Sequence, residues 1–230
     1  MVGTIQLTTL ISLGFILGLK HTFDPDHIIA ISAIVSQTKN IKKSLLQGVL
    51  WGIGHTITLL LVGSLILFFK IAIPQKLTLA FELLVGAVLI ILGVNVLQKL
   101  VKDRMHLHKH IHDKIIHSHF HSHKESTAHT HVHKSFMVGM LHGLAGSAAL
   151  MLIVLASIDS IPQGLFFIAA FGIGLTVGML IVSGIIGLPF ILTIRFDSFN
   201  FGLKIITGIV SISLGSLIIF KIISSNNLFS

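Results

Sequence analysis

The stretch Lys20-His21-Thr22-Phe23-Asp24-Pro25-Asp26-His27 gathers two imidazoles and two carboxylates, with an apolar run on either side. Imidazole plus carboxylate, without sulfur, suits nickel, cobalt, zinc or manganese better than copper(I). If the flanking runs cross a bilayer, each aspartate at mid-helix costs about 2.5–3.5 kcal/mol on insertion scales, so the pair requires compensating charge. Lys20 or a bound cation could supply it. Pro25 lacks an N–H, and its ring clashes with the carbonyl of residue 21, which predicts a helix break. On an unbroken helix His21 and His27 would point about 120° apart, whereas a break lets them turn toward one centre. The alternative is a hinge held by a Lys20–aspartate pair, with the histidines as polar glue between helices.

Two more histidines lie within apolar runs. His55 sits in Gly-Ile-Gly-His-Thr, whose small residues allow close helix approach, and His142 sits in Met-Leu-His-Gly-Leu-Ala-Gly-Ser. Each is a candidate metal ligand or pathway residue, against the plainer reading of a hydrogen-bonded packing histidine. Glu82 and Lys204 are candidates for a structural ion pair across the bundle. A further eleven histidines occupy residues 106–133: His106, His108, His110 and His112; then His117, His119, His121 and His123; then His129, His131 and His133. Alternate spacing suits a flexible chain wrapping a borderline metal rather than one closed tetrahedral site. The segment lacks the apolar content to fold alone and is expected to be disordered without metal. A buffer or sensor of cytosolic metal is the role expected of it, and a solvated spacer the plainer reading.

The elements that must position these groups are apolar. Of 230 residues, 53% are hydrophobic and 10% charged, where a soluble domain carries roughly a quarter charged. The formal charge of +8 comes from bases placed between apolar runs, which read as topology signals rather than a nucleic-acid surface. Without cysteine there is neither a disulfide nor a thiolate metal site. The first apolar run has no basic leader or small-residue cleavage site and is expected to be a true span. Six runs reach the roughly 20 apolar residues that span a bilayer: 5–36, 45–69, 77–98, 136–158, 163–192 and 201–223. Lys39, Lys42 and Lys43, the basic 99–134 stretch and Arg195 fall on one side. Both termini are therefore expected outside, with the histidine-rich connection in the cytoplasm.

The two halves of the chain align. Gly18, His21 and Ser36 fall on Gly139, His142 and Ser157; Gly52-Ile53-Gly54-His55-Thr56 falls on Gly172-Ile173-Gly174-Leu175-Thr176; Gly86 and Gly93 fall on Gly208 and Gly215. The offsets are 121, 120 and 122. Three spans per unit make the second unit enter from the opposite side, an inverted repeat with its site at the midplane. The expectation is an all-α integral membrane protein of about six transmembrane helices. It divides into a first three-helix repeat (1–98), a histidine-rich cytoplasmic loop (99–135) and a second three-helix repeat (136–230).

With these residues in hand, the sequence resembles the nickel/cobalt transporter superfamily. Its hallmark, His-x-x-x-x-Asp-His in a transmembrane helix, is matched by His21, Asp26 and His27, and the wider motif by Asp24 and Ile28. His55-Thr56 resembles the family's Leu-Gly-His-Ser/Thr element, and residues 138–147 resemble the six-span branch related to urease-accessory nickel permeases. The resemblance implies that His21, Asp26 and His27 bind the metal during transport. The Gly-x-Asp-Thr-Ala-Thr-Glu-like element of the longer permeases is missing from the second half, and the histidine loop is similar to that of the exporting branch.

The function implied is secondary transport of nickel or cobalt across the plasma membrane, uptake slightly favoured over export, with the ion as substrate and no prosthetic group. A zinc or other divalent-metal transporter is the near alternative, and a metal-storing or sensing membrane protein without flux the alternative of another class. An enzyme is not expected: neither His-Glu-x-x-His nor a nucleotide-binding Gly-x-x-x-x-Gly-Lys-Ser/Thr loop is present. The expected partners are a divalent ion and the lipid bilayer, not nucleic acid, with a homo-oligomer or a metal chaperone left open.

Overall fold

The computed structural model describes residues 7–70, 74–105, 111–112, 115–116, 128–145 and 160–225. They form α1 (Leu7–His21), α2 (Pro25–Val35), α3 (Ile41–Phe69), α4 (Gln75–Met105), α5 (Ala128–Ala145), α6 (Ile161–Leu192) and α7 (Asp197–Ser224), with a 3-10 turn at Thr193–Arg195. Apart from helix, the described residues hold one two-residue antiparallel pair, Ile111–His112 against Ile115–Ile116. The protein is thus helical, as its composition implies.

Among the described residues, four helices are long and apolar enough to cross a membrane: Ile41–Phe69, Gln75–Lys102, Ile161–Arg195 and Asp197–Ser224. The first expected span is two shorter apolar helices, α1 and α2. The expected span 136–158 begins on α5, and its second half lies outside the described residues. The outer surface is apolar, with Ile16, Leu61, Ile185 and Phe220 exposed, while Thr22, Ser44, Ser183, Ser211 and three histidines share the interior with apolar residues such as Ile31, Leu89 and Phe167. An apolar outer surface, with the polar side chains turned inward, is what a lipid solvent selects.

Close backbone approach holds the bundle together, as small residues allow in membranes. A Cβ added at Gly18 would overlap the carbonyl of Phe171, and one at Gly139 the carbonyl of Trp51. Gly14 meets Phe167 as Gly18 meets Phe171, so α1 runs parallel to α6. Gly139 meets Trp51 and Gly143 meets His55, so α5 runs parallel to α3. Gly52 abuts Thr176 and Gly172 abuts Thr56, which makes α3 and α6 antiparallel, and Thr56 Oγ1 donates to the Gly172 carbonyl at 3.1 Å. Gly86 meets Gly215 and Gly93 meets Gly208, fixing α4 antiparallel to α7, with Ser211 Oγ donating to the Leu89 carbonyl at 2.7 Å. α2 lies across this frame, against α4, α6 and α7.

Two expectations change. The α4–α7 register puts Glu82 level with the Lys221 end of α7. Lys204, near the other end, lies about 25 Å farther along the helix at 1.5 Å per residue. Glu82 and Lys204 therefore do not pair. Helix also extends into both ends of the segment 99–135: α4 continues to Met105 and α5 starts at Ala128.

Candidate metal centre

The break between α1 and α2 forms the site. After His21 the chain makes a tight turn, with the Phe23 N–H donating to the Lys20 carbonyl at 3.0 Å and the Asp24 N–H to that of His21 at 3.1 Å. Asp24 is the N-cap of α2 in extended conformation (φ −61°, ψ 137°), and Pro25 occupies its first turn. There the missing N–H costs nothing, because the first N–H groups of a helix have no intrahelical partner. Proline therefore starts the second half-helix rather than distorting one long helix. At the break the negative dipole end of α1 favours a cation, and Asp24 and Asp26 offset the positive dipole end of α2.

The break brings the His21 and His27 rings to 4.6 Å, centroid to centroid. His55, from the middle of α3, lies 5.4 Å from His21 and 5.2 Å from His27. His142, from α5, lies 5.3 Å from His27. His27, His55 and His142 are fully buried. One ligand atom from each of His21, His27 and His55 lies within 4.8 Å of the others, and Asp24, Asp26 and His27 form a second such group. Three nitrogens sharing one first-row dication, at about 2.1 Å each, lie about 3.0–3.6 Å from one another. Closure on the order of an ångström from the 4.8 Å limit would therefore bring the three imidazoles onto one ion.

The partners of these rings set which nitrogen is available. Asp24 Oδ2 lies 2.8 Å from His21 Nδ1, so Nδ1–H donates to the carboxylate and the Nε2 lone pair is released. His142 Nδ1 donates to the Val138 carbonyl at 2.9 Å, with the same result. Among the described residues the buried His21 Nε2, His142 Nε2 and both His27 nitrogens have no hydrogen-bond partner. Asp26 Oδ1 is 3.4 Å from His27 Nδ1, near but not aligned as a hydrogen bond. Buried unsatisfied polar groups cost about 1–3 kcal/mol each, a cost that coordination of a cation would remove.

Every in-span residue expected at the site, His21, Asp24, Asp26, His27, His55 and His142, is therefore at or beside one centre, with Pro25 at the break. Lys20 is exposed, and among the described residues the aspartates contact histidines rather than that lysine. Of the connection's histidines, His106, His108, His110, His117, His119, His121 and His123 lie outside the described residues. His112 is in the two-residue strand pair, His129 and His131 are on α5, and His133 is exposed on the same helix.

Sequence reasoning missed Trp51. It is fully buried, 4.6 Å from the His142 ring and 5.9 Å from that of His27. Its four-residue spacing before His55 puts both on one face of α3, and that spacing was the available signal. Phe171 takes the comparable place beside His21, at 5.5 Å.

Comparison with known proteins agrees with this chemistry. The profile of the NicO family, described as "High-affinity nickel-transport protein", matches residues 7–226. The chain is 38% identical over 211 residues to the "Urease accessory protein UreH" of Bacillus sp. (strain TB-90), covering 92% of this chain and 90% of that protein. No solved structure matches it. A multi-pass helical chain matched over nearly its whole length by that profile belongs to the NicO family of high-affinity nickel-transport proteins, a family of transporters and not of enzymes.

Proposed function

We propose that the protein is a secondary transporter of nickel, with cobalt as a second substrate, and that His21, Asp26, His27 and His55 ligate the ion in transit. The observation that carries this reading is the convergence of three imidazoles from α1, α2 and α3, their ligand atoms within 4.8 Å of one another at a helix break. Asp24 orients His21 from behind. His142, its Nε2 directed away from the Val138 carbonyl, is a fourth nitrogen ligand reached when the bundle shifts. Carboxylate and imidazole together offset a dication while exposing no thiolate to oxidation.

The scaffold is an inverted repeat, 1–98 and 136–230 about the histidine-rich connection, with six spans and the termini on the side opposite that connection. Mirrored contacts support this. Under the offsets that align the halves, the Gly18–Phe171 contact maps onto Gly139–Trp51, Gly52–Thr176 onto Gly172–Thr56, and Gly86–Gly215 onto Gly208–Gly93. Rocking of one repeat against the other would expose the midplane site to each face in turn. Entry of a dication into a negative-inside cell gains about 4.6 kcal/mol per 100 mV, which favours uptake over export. The histidines of 106–133 then act as a cytoplasmic receiver.

The test is nickel accumulation in intact cells lacking their own nickel permeases and exporters. Cells carrying the protein are expected to hold more nickel than cells carrying Asp26→Asn, with cobalt competing better than zinc. Less nickel would reverse the direction. Equal nickel, with the protein confirmed in the membrane, would overturn transport in favour of a metal-storing or sensing role.

A further inference from the structure

The histidine cluster is buried, so an ion must reach it by a route, and one cavity ends at its acid. It occupies about 420 Å³ between α2, α4, α5 and α7, with Asp26 in its wall beside Glu82 and Lys221, and Leu79, Val85 and Ile222 as apolar lining. Glu82 and Lys221 lie on the face of the bundle opposite the histidine-rich connection, since that connection follows the other end of α4. Glu82 sits two turns inside an apolar helix, where an ionisable group is costly without a use. Glu82 lines the cavity, and no ion pair within 4.0 Å joins it to Lys221 or to any other described residue.

We propose that this cavity is the ion's passage between Asp26 and the face opposite the connection, with Glu82 as its entry carboxylate and Lys221 as an opposing charge that limits how long a cation dwells there. The inference rests on the transport reading above. Glu82 concentrates the dication without coordinating it in the buried site. A carboxylate about 5 Å from a dication in water raises its local concentration roughly tenfold. The Lys221 ammonium acts in the opposite sense. Apolar walls on either side keep the field between the charged groups.

The test measures nickel flux against concentration in proteoliposomes, alongside equilibrium quenching of Trp51 by nickel in the same preparations. Glu82→Gln is expected to raise KM roughly tenfold while leaving kcat and the quenching midpoint within about twofold. Glu82→Asp should restore most of the loss, and Lys221→Gln should lower KM severalfold. The chain has no native cysteine, so Leu79→Cys can be compared before and after a cationic methanethiosulfonate reagent. Labelling should block flux, and nickel should slow the labelling. An unchanged KM in Glu82→Gln, an equal shift in its quenching midpoint, or full flux after complete labelling at position 79 would each overturn the passage. The Leu79→Cys arm decides the matter if Glu82→Gln does not fold. Absence of flux and quenching in the wild type would instead overturn the transport reading itself.

Discussion

Asp24 and Asp26 are two residues apart and chemically identical, yet they sit differently against the histidines, and asparagine at each position should separate the roles proposed for them. Asp24 holds the His21 ring through Nδ1 at 2.8 Å, and its side chain is 49% exposed. A hydrogen bond to a charged acceptor is worth about 1.5–3 kcal/mol when buried. Solvent at a half-exposed carboxylate brings this to about 1.4 kcal/mol, or tenfold in affinity. That sits at the low end of the 10–100-fold loss usual for the outer partner of a ligating histidine. Asp26 is 24% exposed and lies beside His27, with which it and Asp24 form the second ligand group. Removing its charge from opposite a dication should cost about 3–5 kcal/mol, at least a hundredfold. The assay is nickel titration of the fluorescence of Trp51, the single tryptophan, whose ring lies 4.6 Å from His142 and 5.9 Å from His27. Asp24→Asn should move the midpoint about tenfold and Asp26→Asn at least a hundredfold, and a chelator should restore the emission in both. Equal shifts, or a larger one for Asp24→Asn, would refute the division of labour and make Asp24 the direct ligand.

Three further outcomes follow from the packing and the donor set. His142→Ala should weaken nickel binding less than His27→Ala and shift Trp51 emission to longer wavelength, because the ring against the indole is lost; steady-state spectra with and without nickel check both. Gly18→Leu and Gly139→Leu each drive a side chain into a facing carbonyl, and should lower stability by about 3 kcal/mol or more, read as a fall in the thermal midpoint of detergent-solubilised protein. Ser211→Ala removes the bond to the Leu89 carbonyl and should cost only about 0.6 kcal/mol, the usual size of such bonds between membrane helices, in the same assay.

The helix break and the acid–histidine cluster were legible because their signals are local. Pro25 dictates where one helix must end, and two aspartates in an apolar run are too costly to stand there without a charge to offset them. The mates Gly18 and Gly139, or Gly86 and Gly208, were legible as pairs by alignment, but not the contacts they make. Gly86 lies against Gly215, not Gly208, because residues equivalent in the alignment lie at opposite ends of antiparallel neighbours. The same geometry explains why Glu82 and Lys204 do not meet. His142 was legible as a candidate ligand, but not its contact with His27 and Trp51, since that depends on α5 packing parallel to α3. Helix runs past residue 98 to Met105 and begins again at Ala128, inside the histidine-rich stretch. Polar composition lowers the expectation of order, while continuation of an existing helix adds one hydrogen bond per residue at little nucleation cost.

α1 is 15 residues long and α2 11, about 22 Å and 16 Å, so neither crosses the hydrocarbon layer alone. The surface that α1 fits is on α6, where Gly14 meets Phe167 and Gly18 meets Phe171, nearly the last segment to leave the ribosome. During synthesis the first helix must therefore wait in the bilayer for its partner, and His21 cannot be held beside His55 until α6 has arrived. Assembly of the histidine cluster is thus tied to late synthesis: a polypeptide that ends before α6 carries the motif but lacks the frame that gathers its rings.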